Sequence, residues 1–460
     1  MFDETYYAKD AYSLLNFGHE RAFVDGANTR ILAGNFDVFE NTAAFVVHPP
    51  LGKWVIAAGQ AVFGMDPFGW RIAAALIGIA MVAMVHRLAL RLFMNSWIAA
   101  LAGLFMAIDG MAIVLSRTAL LDQFLTFWLL LTLYALVRDR DHYRHTLQLL
   151  AYEQPVPSLR WARPWRLLAI VAISCAFATK WSALWFGFGF GLLALWWDAR
   201  ERDTHPDVDP RSWLRDLGWI GIAVVLGTLT YASTWWGWFA SDDAYDRNWS
   251  PNALTSWIEY HQNALNFHTG LTTSHPYEAL PFWWPLQWRP TSFWYESFAN
   301  GEAGCDVEKC SAEVLALGNP LLWWGASLAV VGVLIAAAVS RRERARLHAL
   351  AAPLIGIASG WLPWLYFYER TTFTFYSIVF APFMFMVLAS VLVSFATHVV
   401  VQDGEEFSVA VESRHPVRFP LVVGFVIAAV IASAFFYPVW VGSVIPYDAW
   451  QLRMWFPSWI

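Results

Sequence analysis

PLVVGFVIAAVIASAFFYPVW, the stretch from Pro420 to Trp440, contains no charged side chain. About twenty apolar residues suffice for one helix to cross the hydrocarbon core of a bilayer. Further apolar runs, some of them shorter, occur at 71–92, 97–115, 119–137, 166–180, 182–198, 214–235, 320–339, 349–367 and 375–398. The sequence therefore predicts an all-α polytopic integral membrane protein with about ten transmembrane helices.

The composition supports the same class. The 460 residues are 58% hydrophobic and only 14% charged, whereas soluble domains are about 25% charged because their surface must stay hydrated. The 29 Trp and 16 Tyr residues are typical of chains whose amphipathic rings collect at the lipid headgroups. We therefore expect membrane lipid to surround the protein and no nucleic acid to bind it.

The distribution of arginine predicts the orientation, because cytoplasmic loops carry an excess of Lys and Arg. Arginine is concentrated in the segments 138–166, 199–215 and 341–346. These segments share one side of the membrane if residues 1–70 lie outside and the run 166–198 forms two spans with a bend at Thr179–Trp181. The chain then divides into an external segment 1–70, transmembrane helices over 71–235, a large external loop over 236–319, and transmembrane helices with an external C-terminal tail over 320–460.

The large external loop carries its own helical pattern. Ser250 followed by Pro251 predicts an N-cap and a first helical residue. Apolar residues follow at helical spacing, which predicts a helix along the membrane surface.

Two adjacent carboxylates, Asp3 and Glu4, lie in the run FDETYY at 2–7. Such a pair is usually a solvated acidic patch. Here Phe2, Tyr6 and Tyr7 flank it on the predicted outer face, where partial dehydration raises the pKa of a carboxyl group toward the range of a general base. We therefore treat Asp3 and Glu4 as candidate catalytic residues.

Five cations are candidate phosphate ligands: Lys53, which follows two prolines at the predicted interface, Arg71, Arg117 and Lys180, which lie at the outer ends of predicted spans, and Arg370, in the pair Glu369–Arg370 at the edge of a span. Lysine serves phosphate as a point charge and arginine binds its oxygens with two donors. The alternatives are an anchoring lysine whose ammonium reaches the headgroups and, within the run SRTALLD at 116–122, an ion pair between Arg117 and Asp122.

Histidines and cysteines complete the candidate set. His261 and His268 are seven residues apart on one helical face without a third ligand nearby, so they predict interfacial or acceptor-site contacts, and no metal site. His48 and His275 are likewise candidates for acceptor contacts or for structural roles. Cys305 and Cys310 lie in the external loop, where a disulfide can form, and we expect them to be joined. Cys175, inside an apolar run, is expected to be a small core residue.

Several short runs together resemble the bacterial branch of the protein O-mannosyltransferases. In chain order they are FDETYY at 2–7, HPPLGK at 48–53, SRTALLD at 116–122, ATKW at 178–181, HPY at 275–277, RPTSF at 289–293, LGNPLLW at 317–323 and the pair Glu369–Arg370. The resemblance extends over nearly the whole chain.

The resemblance implies the GT-C architecture and a multi-pass enzyme of the cell membrane with its active site on the extracytoplasmic side. It implies transfer of mannose, with inversion, from polyprenyl-phosphate mannose to Ser or Thr hydroxyls of exported proteins near the secretion channel. Asp3 would be the base, Glu4 would orient the acceptor or the base, and the cations would neutralise the leaving phosphate. We expect neither a metal nor another cofactor.

Members of that family have a further transmembrane helix before the acidic motif, so we expect an upstream in-frame stretch that encodes it. Two other classes stay open at this point. One is a GT-C enzyme that acts on a lipid or polysaccharide acceptor. The other is a transporter, which is less favoured because the chain shows neither paired half-repeats nor broken helices near the midplane.

Overall fold

The computed structural model describes residues 2–151, 163–204, 213–403 and 408–460. Most of these residues are helical. The α-helices, in chain order, are α1 (Glu4–Phe17), α2 (Ala27–Leu32), α3 (Leu51–Phe63), α4 (Pro67–Phe93), α5 (Ser96–Ile108), α6 (Gly110–Leu115), α7 (Leu121–Ala151), α8 (Pro164–Phe177), α9 (Ala183–Asp203), α10 (Trp213–Ser233), α11 (Trp236–Ala240), α12 (Ala253–Gly270), α13 (Pro320–Val339), α14 (Arg341–Tyr366), α15 (Ala381–Ala396), α16 (Arg418–Val441) and α17 (Tyr447–Gln451). Short 3₁₀ helices occur at Pro281–Leu286, Thr374–Val379 and Pro457–Trp459.

Three small antiparallel sheets accompany the helices. Their strands are β1 (Arg21–Phe23), β2 (Phe39–Ala43), β3 (Thr291–Ala299), β4 (Lys309–Ala316), β5 (Thr397–Asp403), β6 (Ser408–Arg414) and β7 (Ile445–Pro446). β1 pairs with β2, β5 pairs with β6, and the third sheet has the order β3-β4-β7. The sequence analysis predicted none of these strands, although the mainly helical fold class is confirmed.

The helices agree with the predicted spans in position. By length and composition, six described helices can cross a membrane: α4, α7 over Leu121–Leu149, α10, α13, α14 over Leu347–Tyr366, and α16. Shorter apolar helices are α3, α5, α8 and α15. The number of about ten spans, like their orientation, stays a prediction.

Local residues explain where several helices begin and end. The side chain of Asn319 accepts hydrogen bonds from the backbone N–H groups of Leu321 (3.0 Å) and Leu322 (3.3 Å), and Pro320 occupies the first turn of α13. The first N–H groups of a helix have no carbonyl partner within the helix, and the cap side chain accepts hydrogen bonds from them. Proline suits the first turn because it has no backbone N–H. Gly442, with a φ of 75°, ends α16 in the left-handed conformation that glycine adopts at low cost.

The predicted span 97–115 is interrupted. The extended backbone of Asp109 ends α5, and its carboxylate accepts a hydrogen bond from the N–H of Ala112 (3.1 Å), which starts α6. The other carboxylate oxygen of Asp109 accepts hydrogen bonds from the N–H of Asn319 (2.8 Å) and from the indole N–H of Trp323 (2.9 Å). This buried carboxylate therefore stabilises a break that hydropathy alone does not reveal. In the same way, the predicted span 375–398 begins with a 3₁₀ turn before α15.

The bend predicted at Thr179–Trp181 is confirmed, because α8 ends at Phe177 and α9 begins at Ala183. The carbonyl of Ala178 in this bend accepts a hydrogen bond from the N–H of Leu51 at the start of α3 (3.1 Å). The bend and the beginning of α3 are thereby held together, and both carry candidate site residues.

The chain forms two compact units. The first contains Met1–Met81, Leu115–Pro276 and Leu362–Thr371, and the second contains Val82–Val114, Tyr277–Trp361 and Thr372–Ile460. In the first unit α1 packs on α3, α7 packs on α8 and α9, and α10 packs on α8. An aromatic cluster of Tyr231, Trp235, Trp238 and Tyr260 forms part of its core. In the second unit α15 packs against α5 and α13, and α16 packs against β4.

The two segments that were predicted to be external contain more secondary structure than the sequence indicated. Residues 1–70 contain α1, α2, α3 and the β1–β2 hairpin. In the loop 236–319, the predicted helix start at Ser250–Pro251 is wrong, because α12 begins at Ala253 and Asn252 is its N-cap. The disulfide between Cys305 and Cys310 is confirmed and joins the loop between β3 and β4 to the start of β4. Cys175 is half-buried and forms no disulfide.

Five arginines of the predicted cytoplasmic segments form ion pairs with acids: Arg140, Arg144, Arg163, Arg166 and Arg202. Arg163 and Arg166 both contact the carboxylates of Asp139 and Asp198, at 2.7 to 3.2 Å, and all four residues are buried. Shared pairing of this kind satisfies charges that would be costly to bury alone. Two further arginines of those segments, Arg160 and Arg211, lie outside the described residues.

Candidate active site

Glu4, the first residue of α1, is buried and fully engaged. Its carboxylate accepts two hydrogen bonds from Arg71, at 2.7 and 2.6 Å, and a third from the N–H of Ala119 at 3.0 Å. The two-pronged geometry matches the planar guanidinium to the carboxylate and neutralises both charges. Glu4 is therefore held rigidly, and the guanidinium of Arg71, predicted as a phosphate ligand, already has an anionic partner.

Asp3 precedes α1 and its environment differs from that of Glu4. Its side chain makes no capping hydrogen bond to the helix, and it accepts none from the other described residues. Burial raises the pKa of Asp3 from 3.8 to about 6, while the charge of Lys180 lowers it and that of Asp122 raises it. A half-buried carboxylate with a pKa close to neutrality and an unoccupied hydrogen-bonding edge is suited to accept a proton.

Lys180 and Asp122 form a buried ion pair next to Asp3. The Lys180 ammonium lies 2.8 and 3.0 Å from the two carboxylate oxygens of Asp122. Asp122 is in the first turn of α7, where the helix dipole favours a negative charge. Lys180 lies in the bend between α8 and α9, so the fold joins residues that are 58 apart in sequence. The predicted pairing of Asp122 with Arg117 is wrong, since Lys180 occupies the carboxylate and Arg117 is exposed.

A cavity of ≈ 420 Å³ opens beside this pair within the first unit. Its polar lining includes Lys180, Arg370, His48 and His268. Its apolar lining includes four side chains that are exposed at 39 to 81% of their surface: Leu184, Trp185, Tyr366 and Phe367. The cavity therefore combines two cations, Lys180 and Arg370, and the exposed carboxylate of Glu369 with an uncovered apolar wall. The cations suit an anionic group, and the apolar wall suits a hydrocarbon chain attached to it.

The guanidinium of Arg370 is oriented by the end of α12. Its Nε donates to the carbonyl oxygen of His268 (3.0 Å), and one terminal nitrogen lies 3.4 Å from the Nδ1 atom of the same residue. His268 in turn contacts the carbonyl of Val47 through Nε2 (2.9 Å). Arg370 and the HPPLGK segment are thus brought to the same cavity by one histidine.

The two histidines of the cavity are neutral near pH 7. Burial, with smaller contributions from the charges of Arg370 and Lys180, lowers the pKa of His268 to about 4, although its hydrogen bond to the carbonyl of Val47 acts in the opposite direction. Burial also lowers the pKa of His48 well below its usual range, with contributions from the same cations and from Lys53. The rings of His48 and His268 lie 5.1 Å apart. The positive charge of the cavity therefore comes from Lys180 and Arg370.

Lys53 has a different role from the predicted one. Its side chain is completely buried, forms an ion pair with Glu20, and donates to the carbonyl oxygen of His48 (3.0 Å). Burial raises the pKa of nearby Asp10 to about 7, and the Lys53 charge opposes that rise. A buried ammonium with these partners cannot contact a phosphate. Lys53 instead stabilises the HPPLGK segment through its hydrogen bond to the carbonyl oxygen of His48. Glu20 and Asp10 carried no signal in the sequence, because nothing local marks them as partners of Lys53.

His261, His275 and Arg117 do not line the cavity. His261 contacts the hydroxyl of Tyr231 (2.8 Å) and the carbonyl of Trp257 (2.7 Å), which makes it part of the aromatic core. His275 packs edge-on against Phe2, with 5.7 Å between the ring centres. Arg117 is exposed. Of the five predicted phosphate cations, the structure brings Lys180 and Arg370 together.

Matches to known proteins identify the family of the chain. Residues 33–209 match the family model described as dolichyl-phosphate-mannose-protein mannosyltransferase, and residues 253–459 match the C-terminal four-transmembrane region of protein O-mannosyltransferases. The chain is 34% identical over 489 residues to a polyprenol-phosphate-mannose–protein mannosyltransferase of Mycobacterium tuberculosis, covering 100% of this chain and 86% of that protein. The chain belongs to the protein O-mannosyltransferase family. A Mycolicibacterium smegmatis relative of the same description is 32% identical over 490 residues, with 100% and 87% covered.

The fold of the family is shared as well. The protein O-mannosyltransferase Pmt1–Pmt2 complex of S. cerevisiae, solved with its sugar donor, superposes with a TM-score of 0.74 at 13% identity. The match covers 100% of this chain and 89% of that one. At this identity the likeness concerns the fold alone, and it confirms the GT-C class that the sequence motifs implied.

Proposed function

We propose that this chain transfers mannose from polyprenyl-phosphate mannose to Ser or Thr hydroxyls of exported proteins. Membership of the protein O-mannosyltransferase family supports the reaction. The Mycobacterium tuberculosis relative, which aligns with the whole of this chain, is described as a polyprenol-phosphate-mannose–protein mannosyltransferase. The observation that carries the proposal is the position of Lys180, which lines the cavity and whose charge acts on the carboxylate of Asp3.

The cavity is the proposed donor site. The phosphodiester of the donor carries one negative charge, and Arg370 and Lys180 meet it with donors that strengthen as charge develops on the leaving oxygen. The prenyl chain extends over the exposed apolar side chains, including Leu184 and Phe367, toward the surrounding lipid. The neutral imidazoles of His48 and His268 add hydrogen-bonding groups without adding charge.

Asp3 is the proposed general base. The acceptor hydroxyl oxygen attacks the anomeric carbon while its proton passes to Asp3, and the bond from that carbon to the phosphate oxygen breaks with the electron pair leaving on phosphate. A single displacement of this kind inverts the anomeric centre. Glu4 cannot take the proton while Arg71 occupies it, so Glu4 fixes the start of α1 and thereby the position of Asp3.

The proposed location is the cell membrane, with Asp3 on the extracytoplasmic side and acceptors arriving as they emerge from the secretion channel. The arginine-rich segments, which contain the buried Arg163–Asp139 and Arg166–Asp198 contacts, then face the cytoplasm. No metal takes part in the proposed displacement, because Arg370 and Lys180 supply the charge that the phosphate needs.

A transfer assay tests the proposal. Membranes that contain the protein are incubated with radiolabelled polyprenyl-phosphate mannose and a Thr-rich peptide, and membranes with Asp3→Asn serve as the control. The expected result is label in the peptide, released as mannose by β-elimination, and none with the control. Label that enters only a lipid or polysaccharide fraction would contradict the protein acceptor.

A further inference from the structure

Besides Asp122, two anionic groups can interact with the ammonium of Lys180: the phosphate of the proposed donor and the carboxylate of Asp3. Lys180 lines the cavity where the donor phosphate is placed, and its charge also acts on Asp3. Both carboxylate oxygens of Asp122 contact the ammonium, at 2.8 and 3.0 Å. Lys180 is 7% exposed and Asp122 is 3% exposed, so water screens this arrangement little.

We propose that Asp122 is a positioning residue of the active site, which holds the Lys180 ammonium at the cavity wall and away from the carboxylate of Asp3. The cation then serves the donor phosphate while Asp3 remains free to accept a proton. This inference rests on the proposed function for the role of Asp3, but not for the charge arrangement itself.

The physical reason is the cost of an unpaired buried charge. Without Asp122, the charge of Lys180 would act on Asp3 unopposed and would stabilise the ionised form of Asp3. With Asp122 in place, the two charges partly cancel at Asp3, where Lys180 lowers the pKa and Asp122 raises it, the Lys180 effect being the larger. The position of Asp122 in the first turn of α7 favours its ionised form, so that it remains an anion throughout the reaction.

Other charged groups near Asp3 leave this balance intact. Glu4, the next residue, is neutralised by Arg71. His48 and His268 line the same cavity as Lys180, and both are neutral near pH 7 because burial lowers their pKa values.

Three variants separate the two charges: Asp122→Asn, Lys180→Gln and the double variant. On the acid side, the pH at which kcat/KM is half its maximum reports the pKa of the base in the free enzyme. From lowest to highest, this midpoint should follow the order Asp122→Asn, parent, double variant, Lys180→Gln. The shift of Asp122→Asn relative to the parent should be about one pH unit, as expected when an opposite charge is freed next to a carboxylate. Asp25→Asn, at an exposed loop position, removes the same formal charge and should leave the midpoint unchanged.

A second readout does not require transfer. A diazo reagent esterifies protonated carboxyl groups, and peptide mass spectrometry gives the pH at which half of Asp3 in the full-length protein is modified. The same order of midpoints is expected. If Asp122→Asn does not accumulate, the order of parent, double variant and Lys180→Gln still decides, because Lys180→Gln and the double variant differ only at Asp122.

Equal midpoints in all variants, or the reverse order, would overturn the positioning role of Asp122. If the midpoints follow the expected order but the parent never labels the peptide, the proposed function fails while the charge arrangement stands.

Discussion

Asp3 should make transfer depend on pH in a range where an ordinary aspartate would not. With a pKa of about 6, Asp3 is roughly 90% ionised at pH 7 and roughly 10% ionised at pH 5, so kcat/KM should fall about tenfold between these values. An exposed aspartate with a pKa near 3.9 would still be more than about 90% ionised at pH 5, and the profile would stay nearly flat. Activity is lost as the pH falls, because only the carboxylate accepts the proton.

The matching substitution is Asp3→Asn, which keeps the shape of the side chain and removes the base. Loss of a positioned general base lowers rates by roughly 10²- to 10⁴-fold, with donor binding retained because Lys180 and Arg370 are unchanged. The assay is initial-rate peptide mannosylation from pH 5 to 8, together with donor binding to the variant. A flat profile in the parent, or an Asp3→Asn variant with near-normal turnover, would refute the assignment of Asp3 as the base.

Three further outcomes follow from the structure. Arg370→Gln should raise the donor KM by about 10-fold or more, since a hydrogen bond to a charged group contributes about 1.5–3 kcal/mol. The control, Arg117→Gln at an exposed position, should change the donor KM little. Equal effects of the two substitutions would show that Arg370 does not bind the donor. Addition of EDTA should leave the rate of peptide labelling unchanged, because Lys180 and Arg370 neutralise the phosphate, and a loss restored by a divalent cation would contradict this. Paired Cys305→Ser and Cys310→Ser substitutions should lower the melting temperature in detergent, since closing so short a loop stabilises by about 2 kcal/mol; an unchanged melting temperature would show that the hairpin holds without the bond.

The adjacent residues Asp3 and Glu4 have different environments, which the local sequence could not predict. Asp3 and Glu4 are indistinguishable in sequence, and both were candidates for catalysis. The structure gives Glu4 three hydrogen-bond donors, from Arg71 and Ala119, and leaves Asp3 with none from the described residues. The partners of Glu4 are 67 and 115 positions away, so no short-range pattern could have assigned them.

The five predicted cations divide for the same reason. All were singled out by their place at the outer end of a predicted span or in a short run of residues, which are local properties of the sequence. Whether an ammonium or guanidinium can reach a phosphate depends on its partners after folding: Lys53 is enclosed with Glu20, while Arg370 faces the cavity next to His268. Tertiary packing thus selected two of the five.

The sequence by itself determined the membrane class, the positions of the apolar helices, the bend before Ala183 and the family. Each of these depends on runs of neighbouring residues, because the transfer of an apolar segment into lipid is nearly additive along the chain. Only the tertiary structure decided the break at Asp109, the β3–β4 hairpin and the pairing of Lys180 with Asp122. These depend on hydrogen bonds and charges between distant segments, whose energies exist only when the fold has brought the groups within about 3–4 Å of one another.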